Sequence, residues 1–184
     1  MNSPTAGSLS TGASVERGRR SAGAFANPKG VESGAARLAP CLMLVFAAIG
    51  VADAFYDSYA IYTDQPLWCP PPIDGCNIVA SSPYAHILGM PVGYFGLVYY
   101  SYMFGLAALL AFDPFSRALR WSAVLYAGLG VLFSAYFMNV QFTFIHAFCI
   151  YCLISAVLTL LLLFSAISHF TAIRLRVAGP APTN

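Results

Sequence analysis

Apolar residues dominate four stretches of the chain, about Leu38 to Thr63, Met90 to Phe112, Ala118 to Phe142 and Phe144 to Ile173, with polar residues gathered before and between them. A helix needs roughly 20 apolar residues to cross about 30 Å of hydrocarbon, and each stretch is long enough. The pattern predicts an all-α integral membrane protein, a four-helix bundle occupying residues 38–175. Residues 1–37 are rich in Ser, Gly and Ala and are expected to form a disordered tail, with residues 176–184 a short second tail. The first apolar stretch is too long for a signal-peptide core and no cleavage pattern follows it.

Between the first two stretches, about Asp64 to Gly89, lies the one connection long enough to hold chemistry. In its first half Pro70, Pro71 and Pro72 stiffen the chain and Asp74-Gly75 offers a tight turn. In its second half Ser82 suits a helix N-cap, Pro83 the first helical position, and Gly89 with Pro91 a stop. This predicts a short interfacial helix of one or two turns, with Tyr84, Ile87 and Leu88 resting on the membrane and His86 turned to polar groups. The connection from about Val140 to Phe148 is so short that the third and fourth helices must be antiparallel neighbours. No repeat of fixed period is evident. Trp68, Tyr84, Tyr136 and Phe144 fall near one expected interface and Trp121 near the other, as aromatic anchors do.

Composition and charge support the membrane reading and orient it. The chain is 59% hydrophobic and 9% charged, against about 45–50% and about 25% for a typical soluble domain. Every basic residue falls on one side: Arg17, Arg19, Arg20, Lys29 and Arg37 before the first span, Arg117 and Arg120 between the second and third, Arg174 and Arg176 after the fourth. The other two connections carry none. By the positive-inside rule both termini are cytoplasmic and the Asp64–Gly89 loop faces outward. The net charge of +2 thus reflects topology, and no basic stripe interleaved with aromatics points to nucleic acid. A transporter is disfavoured by the lack of paired intramembrane charges and of an internal repeat.

Four of the five cysteines collect on the outward face although two whole spans separate them in sequence. Cys69 and Cys76 lie in the loop. Cys149 and Cys152 form Cys-Ile-Tyr-Cys in the first turn or two of the fourth helix. Outside the cytosol an even set of four suggests two disulfides. A Cys-X-X-Cys at a helix start has its first thiolate stabilised by free backbone N–H groups and the helix dipole, which makes Cys149 a candidate exchange thiol. His146 could stabilise that thiolate further or serve only as a hydrogen-bond partner. Cys152, about a turn deeper, is placed to meet a membrane-borne oxidant. Two alternatives keep the cysteines inert or metal-bound: static disulfides in a non-enzymatic membrane protein, and a zinc site, which the Cys-X6-Cys with Cys-X2-Cys spacing does not favour. No metal site is expected. Cys41, near the cytoplasmic end of the first span, reads as a packing residue.

The order of Cys-X6-Cys, then Ser-Ser-Pro-Tyr-Ala, then a Cys-X-X-Cys opening the fourth helix resembles the vitamin K epoxide reductase family in its bacterial form, over about Leu38 to Ile173. The quinone-linked disulfide-bond protein B family places its Cys-X-X-Cys in the first outward loop, the reverse order. The resemblance implies a membrane thiol–disulfide oxidoreductase in a bacterial inner membrane. In it Cys69 exchanges with a partner protein, Cys76 carries electrons to Cys149, and Cys152 faces a quinone of the ubiquinone, menaquinone or phylloquinone type. Ser82 matches a serine characteristic of the family and is a candidate for positioning the quinone. Many bacterial members carry a fused thioredoxin-like domain, whereas this chain ends shortly after the fourth helix, which implies a separate thioredoxin-like or DsbA-like partner. Vertebrate members have a tyrosine seven residues after the first cysteine of the Cys-X-X-Cys. Ala156 stands there, so vitamin K epoxide reduction is the alternative and disulfide formation the leading expectation.

Quinone reduction consumes protons as well as electrons. Asp53 and Asp57 share a face near the outer end of the first span, and acids inside a span are functional suspects. They are candidate proton carriers, as is His146. Phe95, Tyr99, Phe137 and Asn139 are candidate neighbours of the quinone ring.

Overall fold

The computed structural model describes residues 28–71 and 75–178, with side chains for 38–71 and 75–175. The chain divides into two units, Met1–Gly34 and Ala35–Asn184, and the second holds the bundle. The elements run α1 (Pro28–Tyr62), α2 (Cys76–Ala80), a 3-10 turn (Pro83–Ala85), β1 (His86–Ile87), β2 (Met90–Pro91), α3 (Val92–Phe112), α4 (Arg117–Val140), a π turn (Gln141–Ile145) and α5 (Ile150–Ala178). Among the described residues, four helical stretches are long and apolar enough to cross a membrane: Leu38–Tyr62, Val92–Phe112, Arg117–Ile145 and Ile150–Leu175. The protein is an all-α four-helix membrane bundle. Helix α1 starts at Pro28, inside the segment expected to be a tail, where a proline at the first helical position forfeits no hydrogen bond. Residues 1–27 and 179–184 of the expected tails lie outside the described residues.

Each helix turns one face inward. Helix α1 buries Met43, Ala47, Gly50, Ala54 and Ser58, and α3 buries Tyr100, Met103, Leu106, Ala107 and Leu110, at the three- and four-residue spacing of one helical stripe. Ala123 and Ala127 of α4 and Leu158, Leu162 and Ala166 of α5 complete the same core. In lipid, helices gain by close packing rather than by escaping water, so small residues at the seams bring backbones together. Gly50 shows the need, because a Cβ there would strike the Tyr100 ring. Large apolar side chains such as Val45, Ile49, Leu125, Leu132 and Phe164 stay on the outside, where acyl chains would cover them.

A second core sits at the loop end and comprises Ala60, Leu67, Cys76, Val79 and Cys149. The chain reverses after α1 at Asp64, at φ 50°, with Gln65 N–H donating to Ala60 O (2.9 Å). Asn77 then ties the loop together, its Oδ1 accepting the Leu67 N–H (2.8 Å) and its Nδ2 donating to Leu67 O (3.2 Å). Pro72, Ile73 and Asp74, including half of the expected Asp74-Gly75 turn, lie outside the described residues. The short helix comes earlier than the sequence suggested: α2 begins at Cys76, and after Ser82 there is a single 3-10 turn. Ser82 occupies that turn's N-cap position, yet its Oγ donates backward to Val79 O (2.7 Å), so it does not cap forward. The expected stop at Gly89 and Pro91 is instead a two-residue hairpin, β1 against β2, with Leu88 at φ 53° and Gly89 at φ 79°. Two successive positive φ values are what a type I′ turn requires.

The connection before α5 also differs from expectation. The third span continues through the wide π turn to Ile145, and His146 reverses the chain in the left-handed conformation, at φ 55°. Only residues 146–149 separate the two spans, and α5 starts at Ile150 rather than near Phe144. That shift decides what Cys149 is.

Candidate active site

Because α5 starts at Ile150, Cys149 is its N-cap residue: the Cys149 carbonyl accepts the Leu153 N–H (3.1 Å). An N-cap side chain is positioned to accept the backbone N–H groups two and three residues on. Cys149 Sγ meets those of Tyr151 and Cys152, and also the Cys152 thiol. The Cys152 thiol is the strongest influence, and it and the two amides hold the Cys149 thiol below its usual range, against the opposing effect of burial. Cys149 is 2% exposed. Cys152 follows in the first turn of α5, and both thiols are free.

Cys69 and Cys76 are joined by a disulfide, their Cα atoms 6.2 Å apart. Cys76 and Cys149 are buried in one cluster, with Cys69 and Cys152 packed against it. The loop approaches the second pair through Gly75. A Cβ on Gly75 would lie 2.8 Å from Phe148 O and 2.9 Å from Ala147 Cβ, so only glycine allows the chain just before Cys76 to lie on the chain just before Cys149. Tyr151, inside the Cys-Ile-Tyr-Cys, donates its hydroxyl hydrogen to Trp68 O (2.7 Å), the carbonyl immediately before Cys69. Its ring also packs on Tyr56 of α1, with centroids 5.3 Å apart. Helix α5 and the connection just before it thus hold the loop at the residue preceding each loop cysteine.

Below the pairs, between the helices, is a cavity of about 290 Å³. Small-molecule pockets run from about 300 to 1,000 Å³, and this one stands at the lower end of that range. Its walls carry Asp53 and Asp57 from α1, Phe95 and Tyr99 from α3, Phe133 and Phe137 from α4, and Tyr151, Cys152 and Ser155 from α5. Of the four cysteines named above, Cys152 alone borders it. Tyr100 is fixed at its edge, its hydroxyl donating to Ser155 O (3.0 Å) and lying 2.7 Å from Ser155 Oγ. Among the described residues Tyr99 Oη is buried with no hydrogen-bond partner. A hydroxyl in that condition on a cavity wall has a hydrogen to donate.

The cavity gathers Asp53, Asp57, Phe95, Tyr99, Phe137 and Cys152 from the residues singled out by sequence. It does not gather Ser82, Asn139 or His146. Ser82 is spent on Val79 O, and Asn139 is exposed on α4, where its carbonyl accepts the Thr143 hydroxyl (2.7 Å). His146 is exposed at the chain reversal. Sequence reasoning passed over Asn77, Gln141 and Tyr151, and read Gly75 only as half of a tight turn. For Gln141 a signal existed, since it is a carboxamide closing an apolar span.

Four apolar helices that carry a disulfide and a free Cys-X-X-Cys in one buried cluster above a cavity define a membrane protein built for redox chemistry. The chain belongs to the vitamin K epoxide reductase family, whose model matches residues 41–167 and so takes in all four clustered cysteines. It is a membrane oxidoreductase of that type, and enzymes of the family use quinones.

Proposed function

We propose that residues 38–175 form a catalytic domain that oxidises an extracytoplasmic thioredoxin-like or DsbA-like dithiol protein and reduces a membrane quinone, supporting disulfide formation. The observation that carries this reading is the shared burial of Cys76 and Cys149 together with the opening of Cys152, on the far side, to the cavity.

Each exchange is attack of a thiolate on a disulfide sulfur. A partner thiolate attacks Cys69, breaking the Cys69–Cys76 bond, and the partner's second thiolate releases Cys69, so the partner leaves oxidised. Cys76 thiolate attacks Cys149 of an oxidised Cys149–Cys152 pair, and Cys152 leaves as a thiolate. Cys69 then resolves the Cys76–Cys149 bond, which restores the loop disulfide and leaves Cys149 and Cys152 reduced. Their two electrons, with two protons, convert quinone to quinol as the Cys149–Cys152 bond re-forms.

When Cys149 reacts as the thiolate it brings no proton, so one of the two must come from elsewhere. Asp53 and Asp57 stand on the cavity wall, and Asp57 lies close enough to act electrostatically on both Cys149 and Cys152. They are the proton carriers of this scheme. Tyr99 Oη would donate to a quinone carbonyl, with Phe95 and Phe137 against the ring. The one-sided basic residues support a loop outside and termini in the cytoplasm, and the likeness to bacterial members of the family supports a bacterial plasma membrane. Ala156 has no hydroxyl with which to assist epoxide chemistry, in keeping with disulfide formation as the role.

The test is reconstitution in liposomes with quinone and a reduced DsbA-like protein. Cys152→Ser abolishes quinone reduction if the scheme holds, and a normal rate in that variant contradicts it. With the oxidised partner in place of the reduced one, Cys76→Ala accumulates a mixed disulfide in which the Cys69 thiolate has attacked the partner's disulfide and the partner's second sulfur has left as a thiolate, whereas recovery of the partner on Cys149 reverses the order.

A further inference from the structure

The π turn that ends the third span presents Gln141 to the Cys-X-X-Cys, off the cavity wall. π turns inside helices occur often at functional sites because the wide turn re-aims a side chain. Gln141 is 0% exposed. Its Oε1 accepts the backbone N–H of Cys149 (2.9 Å). That bond fixes which way the amide faces, since a flipped carboxamide would set two donors against each other. Nε2 is therefore turned to the other side, where it is buried with no hydrogen bond of normal geometry, and the side chain it interacts with there is Cys152. A buried N–H2 without an acceptor is costly, and natural structures keep one where a partner arrives later.

The groups form a ring. Cys149 N–H donates to Gln141 Oε1, Gln141 Nε2 faces Cys152 Sγ, and the Cys152 thiol bonds to Cys149 Sγ. One carboxamide thus holds the backbone of the first cysteine and the sulfur of the second. We propose that Gln141 is a positioning residue for the thiol pair: its Nε2–H receives the Cys152 sulfur as negative charge develops on it, while its Oε1 keeps Cys149 at the helix N-cap. No atom or electron moves through Gln141. When Cys76 attacks Cys149, the electron pair of the breaking Cys149–Cys152 bond goes to Cys152 Sγ, and Nε2 supplies the hydrogen bond that makes that sulfur the better leaving group. The same bond favours the reduced pair over the disulfide, because the Cys152 sulfur, its hydrogen directed at Cys149 Sγ, accepts a hydrogen bond better than a disulfide sulfur does.

This inference rests on the relay proposed above, and the test separates the two. Gln141→Glu keeps an acceptor for the Cys149 N–H and removes the donor facing Cys152, whereas Gln141→Leu removes both. The readout that needs neither quinone nor partner is the equilibrium of Cys149–Cys152 with a glutathione buffer in the purified protein, followed by thiol labelling. An ordinary hydrogen bond shifts an equilibrium by about 2- to 10-fold, so both variants should move toward the disulfide by that factor near neutral pH. Quinone reduction by Gln141→Glu should slow by a similar factor and its pH profile should shift. Thermal unfolding of Gln141→Glu should stay near wild type, because the Cys149 bond is kept. An unchanged equilibrium and pH profile in Gln141→Glu overturns the proposal. So does an unchanged equilibrium in Gln141→Leu accompanied only by lower stability, which would make Gln141 merely structural. Either outcome leaves the Cys152→Ser test of the relay untouched.

Discussion

The two cysteine pairs of this protein are held in opposite ways. Cys149 and Cys152 stand on the backbone of α5, one at the N-cap and one in the first turn, with the Gln141 amide behind them. Cys69 and Cys76 ride on a loop fastened at a few points: the Asn77 bonds to Leu67, the Tyr151 bond to Trp68 O, and the contact of Gly75 with Ala147 and Phe148. Helix backbone fixes the inner pair by many cooperative bonds, whereas each loop fastening is worth about 0.5–1.5 kcal/mol and can open on its own. A relay needs this asymmetry. The inner pair must stay in one place above the cavity, and the outer pair must visit both a soluble protein and Cys149.

Several changes would break or sharpen the contrast. The largest effect is expected from Gly75→Val, which drives side-chain atoms into the Phe148 backbone and forces the loop off the inner pair. Overpacking typically costs about 1–3 kcal/mol, so exchange between the pairs should fall by about 10- to 100-fold, measured as the rate at which a reduced loop reduces an oxidised Cys149–Cys152. Exchange of Cys69 with the partner should be much less affected. Asn77→Ala removes two hydrogen bonds that close the loop on itself. Loop proteolysis should increase, and the same inter-pair rate should fall by about 5- to 30-fold. Tyr151→Phe removes one bond and keeps the ring against Tyr56, so a fall of about 2- to 10-fold is expected with little change in thermal stability. The smallest effect is one of pH. Since Cys149 is held below the ordinary thiol pKa of about 8.5, its thiolate persists as pH drops and is lost only when pH falls through the lowered value. Attack by Cys149 on the loop disulfide should therefore level off at a lower pH than attack by an ordinary thiol, and Cys152→Ala, by removing the leading hydrogen bond to Cys149, should move the midpoint upward.

How far the sequence foretold this arrangement depended on the kind of signal. The four spans were plain, because hydropathy over about 20 residues and the one-sided Arg and Lys leave little choice. The four cysteines and the order of the pairs were plain as well. What escaped was set by local backbone geometry. The start of α5 moved from near Phe144 to Ile150 because the third helix widened into a π turn and His146 took a positive φ, and neither event has a residue signature. That shift turned Cys149 into an N-cap and set Gln141 behind it. Ser82 illustrates the reverse case: its sequence context suits an N-cap, but a nearer carbonyl at Val79 captured its hydroxyl. The aromatic residues of the cavity were half legible. Phe95, Tyr99 and Phe137 lay on the right helices, while Asn139 at the same depth turned outward, a matter of helix rotation that apolar sequences specify weakly.

The central claim is that Cys76 and Cys149 are the sulfurs through which the two pairs communicate. Cys152→Ser tests it directly, because Cys149 then has no neighbour to bond with and its thiolate can only attack the loop disulfide. Alkylation of free thiols followed by peptide mass spectrometry should find Cys76 bridged to Cys149 and Cys69 labelled. A bridge between Cys69 and Cys149, or a loop disulfide that never opens, would contradict the account.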